Sequence, residues 1–531
     1  MRHENDVLAA VAACLALAAQ GVRDAIGRSV VSTTVSRSSV RPAPRLVVDG
    51  ASVAGAAGTY PVTNPARPDE VVLDAPAASV AQLDAAVDAA RRVQPAWAAR
   101  TPAERTAAVV AAAAAGADSI EELAQLLTRE HGKVLWEATF DIGTLSGMAA
   151  AFAPLVEEAG ASRALPGGPG RRTVVERVPH GVVAAIIPFN WPVSVLGNKV
   201  LPALLAGNAV VVKPPPTCPG ALLEAAAVLA AGLPAGLLNV ISGPEVSLGQ
   251  ALVTHPGVDM VTFTGGIPAG RSVMAAAAAT TKPVVLELGG NDPALLAPDL
   301  QIDEHLADRL VSAAFTTSGQ VCMAIKRVYV PTGQKAALLE ALEARLSREV
   351  VGDGLRPDVT MGPVHTAAAR DRAEAMVAEA AAAGARIVRP ATVVEEDAEA
   401  GGYLVSPALV DDPPPDTRIV ADEQFAPVLP LLGYDDLDVA IAQANATPFG
   451  LCASVWTGDD DLAAAVSRRL EAGTIFVNDH GMAAMDHLAP LGGWKASGLG
   501  AELGPEGMAD LTRARVVRGL ADAGPEGEHE A

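Results

Sequence analysis

Between residues 182 and 288, five short aliphatic runs at 182–187, 209–212, 237–241, 260–263 and 284–288 alternate with stretches of helical character. No other feature restricts the fold so far. A strand that is apolar at every position has both faces buried, and such strands belong to parallel sheets covered by helices. The intervening helices are expected near 194–206, 219–231, 247–255 and 268–280. The predicted class is α/β, with a doubly wound sheet that binds its ligand at the carboxyl ends of the strands.

Upstream, folded sequence is expected to begin near Leu46. Ser79-Val-Ala-Gln82, Thr101-Pro-Ala-Glu104 and Ser119-Ile-Glu-Glu122 each match the capping-box pattern, in which two side chains satisfy orphan N–H groups reciprocally. In the first of these helices Val80, Leu83, Val87 and Ala90 share one face, and Gly132 ends the third in a left-handed conformation. The Ser- and Arg-rich stretch 28–45 lacks acids, so residues 1–45 read as a disordered leader, or as the product of a start codon placed too early, rather than as a folded domain.

The strand ends carry polar groups suited to chemistry. Asn190 follows the first, Lys213 ends the second, Gly243 follows the third, Thr264-Gly-Gly266 follows the fourth and Glu287 closes the fifth. Gly265, Gly266 and Gly270 stand where a backbone without Cβ can approach a pyrophosphate, although glycine at a strand-to-helix turn is as often mere geometry. Lys213, held between an apolar strand and three prolines, suits a ribose or phosphate contact better than solvent.

Downstream, Cys322 lies in Thr316-Thr-Ser-Gly-Gln-Val-Cys-Met323, after a Ser-Gly-Gln turn read as flexible enough to bring backbone N–H groups toward the sulfur. A lone cysteine is more often an inert buried thiol, which suits Cys14, Cys218 and Cys452. Cys322 differs by its company. Asn190 offers an amide for an oxyanion and Glu287 a carboxylate that can activate water, so the three suit attack on an aldehyde.

Other chemistries are disfavoured. Four cysteines in 531 residues, without regular spacing, give neither a disulfide framework nor a CxxC pair, which fits a reducing cytoplasm. Nine histidines form no HExxH or other clustered pattern, so no metal is expected. A net charge of −22 argues against nucleic acid, and no apolar run reaches the roughly 18 residues that span a bilayer.

With Pro188-Phe-Asn-Trp-Pro192, Leu286-Glu-Leu-Gly-Gly290, Gly319-Gln-Val-Cys322, Asp422-Glu-Gln-Phe-Ala-Pro427, Asn445-Ala-Thr-Pro-Phe-Gly450 and Pro490-Leu-Gly-Gly-Trp-Lys-Ala-Ser-Gly498 in this order, the chain resembles the aldehyde dehydrogenase superfamily from about Leu46 to about Arg518. The resemblance implies a Rossmann-like cofactor domain (46–159 and 179–288), an α/β catalytic domain (289–490), a small β oligomerisation element (160–178 and 504–520) and an acidic tail (521–531). The run Thr173-Val-Val-Glu-Arg-Val independently reads as an exposed strand that needs a neighbour.

Carried over residue by residue, the resemblance implies Cys322 as nucleophile, with the Asn190 amide and the Cys322 N–H as oxyanion hole. One such donor is worth on the order of 3 kcal/mol. It further implies Glu287 as the base for thioester hydrolysis, Glu423 on the nicotinamide ribose and Phe425 beside the ring. The cofactor is NAD or NADP. Two departures bear on it: Pro216 stands where a ribose-binding glutamate is common, and Gly266 replaces a common serine.

For the substrate, a small-molecule aldehyde, the pattern implies Trp191, Val195 and Asn198 along a tunnel, Val321 and Met323 flanking the nucleophile, and the loop around His480 closing the mouth. Each serves equally well as ordinary packing. A homodimer or homotetramer is expected. A CoA-acylating semialdehyde dehydrogenase is the nearer alternative, but that branch usually lacks the carboxylate at Glu287. A non-catalytic relative should have lost Cys322, Asn190 or Glu287.

Overall fold

The computed structural model describes residues 43–166 and 171–521. Most of the leader and tail, with Cys14, lies outside the described residues. The five aliphatic runs form strands Val182–Ile186, Ala209–Lys213, Leu238–Val240, Met260–Thr264 and Val284–Glu287, all paired in parallel. Between them run helices Pro192–Leu205, Gly220–Ala231, Val246–Thr254 and Ile267–Ala278. Leu46–Val48 and Ala51–Val53 extend this sheet on one side and Gly498–Leu499 on the other, to eight strands. Val183, Val210, Val211 and Val261 have no exposed surface, so the aliphatic residues fill the core between sheet and helices.

A second lobe holds a seven-stranded sheet centred on Asp292–Leu296 and Ile325–Pro331. Alternation in these strands divides two cores: Ala294, Leu296, Val328 and Val330 pack on one face, and Leu295 and Tyr329 on the other. A third sheet joins the hairpin Arg163–Pro166 and Arg171–Pro179 to the C-terminal strand Thr512–Ala521, which forms one edge.

Local signals upstream fare unevenly. The capping boxes at Ser79 and Thr101 form, and Gly132 caps its helix at φ 98°. The one at Ser119 does not: a 3₁₀ turn over Ala117–Ser119 holds the serine at φ −97°, ψ −1°, where its hydroxyl makes no cap bond. Val80 starts its helix 60% exposed, off the buried face that Leu83, Val87 and Ala90 share.

Helix Leu135–Gly160 also differs from expectation, being long and apolar enough by length and composition to cross a membrane. Half of the tested stretch is buried inside the protein. It packs on helices Ile120–His131 and Pro192–Leu205, and its buried Asp141 accepts from Lys133 Nζ at 2.9 Å. Its apolar surface serves the core of the first lobe.

Candidate active site

Cys322 follows a turn that is rigid rather than flexible. Thr317, Ser318 and Gly319 are successively left-handed (φ 54°, 55° and 71°), a strained arrangement that persists only when the surroundings fix it. The surroundings do so. Thr317 N–H donates to buried Glu137 at 2.6 Å, and Ser318 Oγ to Gly362 O at 2.7 Å. Gln320 Oε1 accepts from His365 N–H at 2.9 Å. A Cβ on Gly319 would lie 2.4 Å from Ala426 O, so only glycine fits there.

Cys322 is partly covered, and burial pushes its thiol up to about 12. Lys326 opposes this shift, while the carboxyls of Glu287, Glu423 and Asp292 add to it. Burial thus favours the thiol form of Cys322 over the thiolate.

Glu287 ends its strand 4% exposed, and Oε1 finds no hydrogen-bond partner among the described residues. Desolvation first, then Glu502, holds its carboxyl well above the usual range; Lys199 and the Gly493 N–H pull the other way. The glycine-rich run 490–498 supplies that N–H because Gly498 pairs with Glu287 along the sheet edge. Sequence reasoning passed over the neighbouring buried trio of Lys199, Thr262 and Glu502, in which the lysine donates to both partners. A lysine and a glutamate 303 residues apart leave no local signal.

Asn190 is 6% exposed with an unpartnered Oδ1. The next residue, Trp191, joins Val321, Met323, Leu451, Cys452 and Phe476 in one apolar cluster, against which Phe140, Val195, Cys322, Met482 and Met485 pack. Two separated segments are thereby brought to the thiol. Asn198 lies one turn beyond Val195 and lines a different cavity, with Phe152, Lys199, Thr262 and Glu502.

The loop around His480 reaches the cluster through other residues than the histidine. Its side chain is fully buried, tilted against the Phe476 ring at 5.2 Å, with Nε2 3.5 Å from Asp292 Oδ2. The preceding Asn478 fixes this inward course by exchanging hydrogen bonds with Thr457 at 2.7 and 2.8 Å. Met482 and Met485, further along the loop, form that wall of the cluster instead.

Toward the first lobe, Glu423 accepts from Gly290 N–H at 3.2 Å and lies 3.6 Å from Lys326 Nζ. Burial raises its carboxyl. Phe425, at φ 50°, meets the Phe189 ring edge-on at 5.9 Å. Lys213 is 8% exposed, reaches only Pro214 O at 3.4 Å, and is held down to about 8 by burial. Gly266 stands at the N-cap of helix Ile267–Ala278 without a side-chain cap, and the buried Thr264 Oγ1 nearby has no partner among the described residues. Uncapped N–H groups with an unsatisfied hydroxyl and a poorly paired lysine fit an anionic dinucleotide. Gly243 gives room to Leu248, whose Cδ2 would lie 2.8 Å from a Cβ there. Gly270 serves packing rather than close ligand approach, since a Cβ there would lie 2.4 Å from Leu288 Cδ2. Gly265 donates its N–H to Glu287 O at 3.0 Å and so ties the loop to the strand Val284–Glu287.

A doubly wound lobe with an anion-ready helix terminus, beside a second α/β lobe that carries a partly covered thiol, fits a nucleotide-binding protein of the α/β class. Residues 53–517 match the model of the aldehyde dehydrogenase family. The chain is 35% identical over 463 residues to 3,6-anhydro-alpha-L-galactose dehydrogenase of Streptomyces coelicolor, covering 87% of this chain and 93% of that one. Among solved structures it is similar to an E. coli NADP-dependent enzyme, at 33% identity and TM-score 0.85 over 90% of this chain and 98% of that one. It is also similar to betaine aldehyde dehydrogenase of Staphylococcus aureus in complex with NAD+, at 30% identity and TM-score 0.84 over 92% and 96%. The chain belongs to the aldehyde dehydrogenase family, and it is an NAD(P)-dependent enzyme that oxidises aldehydes.

Proposed function

We propose that the eight-stranded lobe is the cofactor domain, the seven-stranded lobe the catalytic domain and the three-stranded sheet the oligomerisation element of a homodimer or homotetramer. Lys213, the Gly265–Gly266 turn and Glu423 would hold the dinucleotide, and Phe425 would line its nicotinamide end. Bound there, NAD(P) would supply the acceptor for the hydride that leaves the aldehyde carbon.

The residues of the chain do the rest. Cys322 Sγ attacks the carbonyl carbon after its proton passes to a base. The Asn190 amide and the Cys322 N–H steady the resulting oxyanion. Departure of hydride leaves a thioester on Cys322, and water activated by Glu287 releases the carboxylic acid. The observation that supports this reading is a raised Cys322 thiol that feels the raised Glu287 carboxyl, with Glu287 Oε1 unpartnered among the described residues and Trp191, next to Asn190, in the apolar cluster against which Cys322 packs.

The apolar cluster of Phe140, Trp191, Val195, Val321, Met323 and Met482 favours a medium-sized, uncharged aldehyde. A quaternary ammonium substrate is disfavoured, because Lys133 Nζ already lies 3.8 Å from the Trp191 ring centroid. The anhydrosugar named for the Streptomyces relative is the first compound to assay. A panel of aldehydes with NAD and NADP tests the reading, and uniform preference for cationic aldehydes would refute the substrate class.

Cofactor choice follows from Lys213 and Pro216. With no carboxylate at 216 to repel a 2′-phosphate, the two cofactors are expected to differ by about tenfold or less in kcat/KM. Pro216→Glu should shift preference toward NAD. Because burial lowers Lys213 to about 8, its charge fades as pH rises through that value. KM for NADP should then climb above pH 8 while KM for NAD stays nearly level. A thousandfold rejection of NADP by the parent enzyme would mean that discrimination arises elsewhere in the adenosine pocket.

A further inference from the structure

Lys326 is buried, 3% exposed, immediately beneath the nucleophile. Its Nζ donates to Cys322 O at 2.6 Å and Val321 O at 2.8 Å, with Ala324 O at 3.5 Å and Glu423 Oε1 at 3.6 Å. An ammonium taken out of water costs several kcal/mol unless its donors are satisfied. Here the partners that satisfy it are carbonyls of the very loop that presents the thiol. The lysine also enters strand Ile325–Pro331 at its second residue, so the loop is tied to a strand that Asp292–Leu296 pairs with on one side.

We propose that Lys326 is a positioning residue for Cys322. Its ammonium fixes the Val321 and Cys322 peptide planes and places a buried positive charge beside the sulfur, offsetting the carboxylates that surround it. Those carboxylates are Glu287, Glu423 and Asp292, and each disfavours the thiolate. Glu423 also competes directly for Lys326, which couples the group assigned to the nicotinamide ribose to the reactivity of the thiol. The inference rests on Cys322 being the nucleophile.

The two functions of Lys326, geometry and charge, separate by substitution. A glutamine at 326 can still donate to loop carbonyls but carries no charge; an arginine keeps the charge on a longer fork. Alkylation of Cys322 by iodoacetamide, followed by peptide mass spectrometry on the enzyme without cofactor, reads thiolate availability at that residue alone. At about pH 8, Lys326→Gln should slow alkylation of Cys322 by about tenfold, equivalent to one pKa unit, while Lys326→Arg stays within about threefold of the parent. Equal rates in all three proteins, or equal slowing in both variants, would overturn the proposal. Buried Cys218 and Cys452 report on folding in the same digest. Should Lys326→Gln expose them, Glu423→Gln decides: removing the competing carboxylate should speed alkylation several-fold, and an unchanged or slower rate overturns the proposal. Turnover by Cys322→Ala, assayed separately, tests the underlying assignment, so the two failures are distinguishable.

Discussion

Cys322→Ala is expected to lower aldehyde oxidation by about 10⁴-fold or more while leaving nucleotide affinity within about twofold. In the proposed mechanism the thiol forms the covalent bond to the carbonyl carbon, and no other described nucleophile shares the cluster in a comparable position. Cys452 belongs to the same cluster, but it is buried in strand Cys452–Trp456 with its thiol pushed well up, so it cannot substitute. Removing a side chain that packs among Trp191, Val321 and Met323 leaves a small gap in the second lobe and does not touch the Gly265–Gly266 turn. Nucleotide affinity measured by fluorescence titration, alongside steady-state turnover, checks both halves. Turnover within tenfold of the parent would end the assignment of Cys322 as nucleophile.

Glu287→Gln should slow steady-state turnover by about 10²–10³-fold and expose a burst of reduced cofactor near one per active site. Glutamine keeps the shape and loses the base, so acylation survives and thioester hydrolysis stalls. The pH dependence has a definite sign. The base must be ionised to activate water, and burial followed by Glu502 holds the carboxyl above the ordinary range. Turnover of the parent should therefore rise with pH through that raised value, and the limb should vanish in the variant. Stability gives an independent check. A carboxyl whose folded pKa is raised binds its proton more tightly in the fold, so its contribution is full below the unfolded value and declines as pH rises through the folded one. Glu287→Gln removes that decline, and its Tm near neutral pH should equal or exceed the parent's. Equal slowing of burst and steady state would mean that Glu287 serves chiefly to deprotonate the thiol.

Much of the architecture was legible in local pattern. The aliphatic runs at 182–187 and 209–212 became central parallel strands because a residue sequence apolar at every position has no solvent face to offer. Ser79 and Thr101 capped their helices because a cap is decided within four residues. Ser119 failed for an equally local reason that composition does not show, namely the 3₁₀ turn that precedes it. The candidate site was legible as a set of residue types at strand ends. Its internal arrangement was not. The loop around His480 was expected at the mouth by its position, but which of its side chains face the cluster was not legible: the Asn478 to Thr457 bonds accompany a buried His480 beside Asp292, and Met482 and Met485 reach the cluster.

By itself the sequence determined the parallel sheet, the punctuation of its strands by glycine and proline, and the thiol, carboxylate and amide that chemistry at a carbonyl requires. These follow from periodicity and side-chain chemistry, which act over a few residues. Only the tertiary structure decided how those groups behave. It partly covered the Cys322 thiol and raised it to about 12, set Glu502 against Glu287, and brought Lys326 within 3.6 Å of Glu423. Desolvation and Coulomb interaction depend on distance through space and on the exclusion of water, and both are fixed by contacts between segments far apart in the chain.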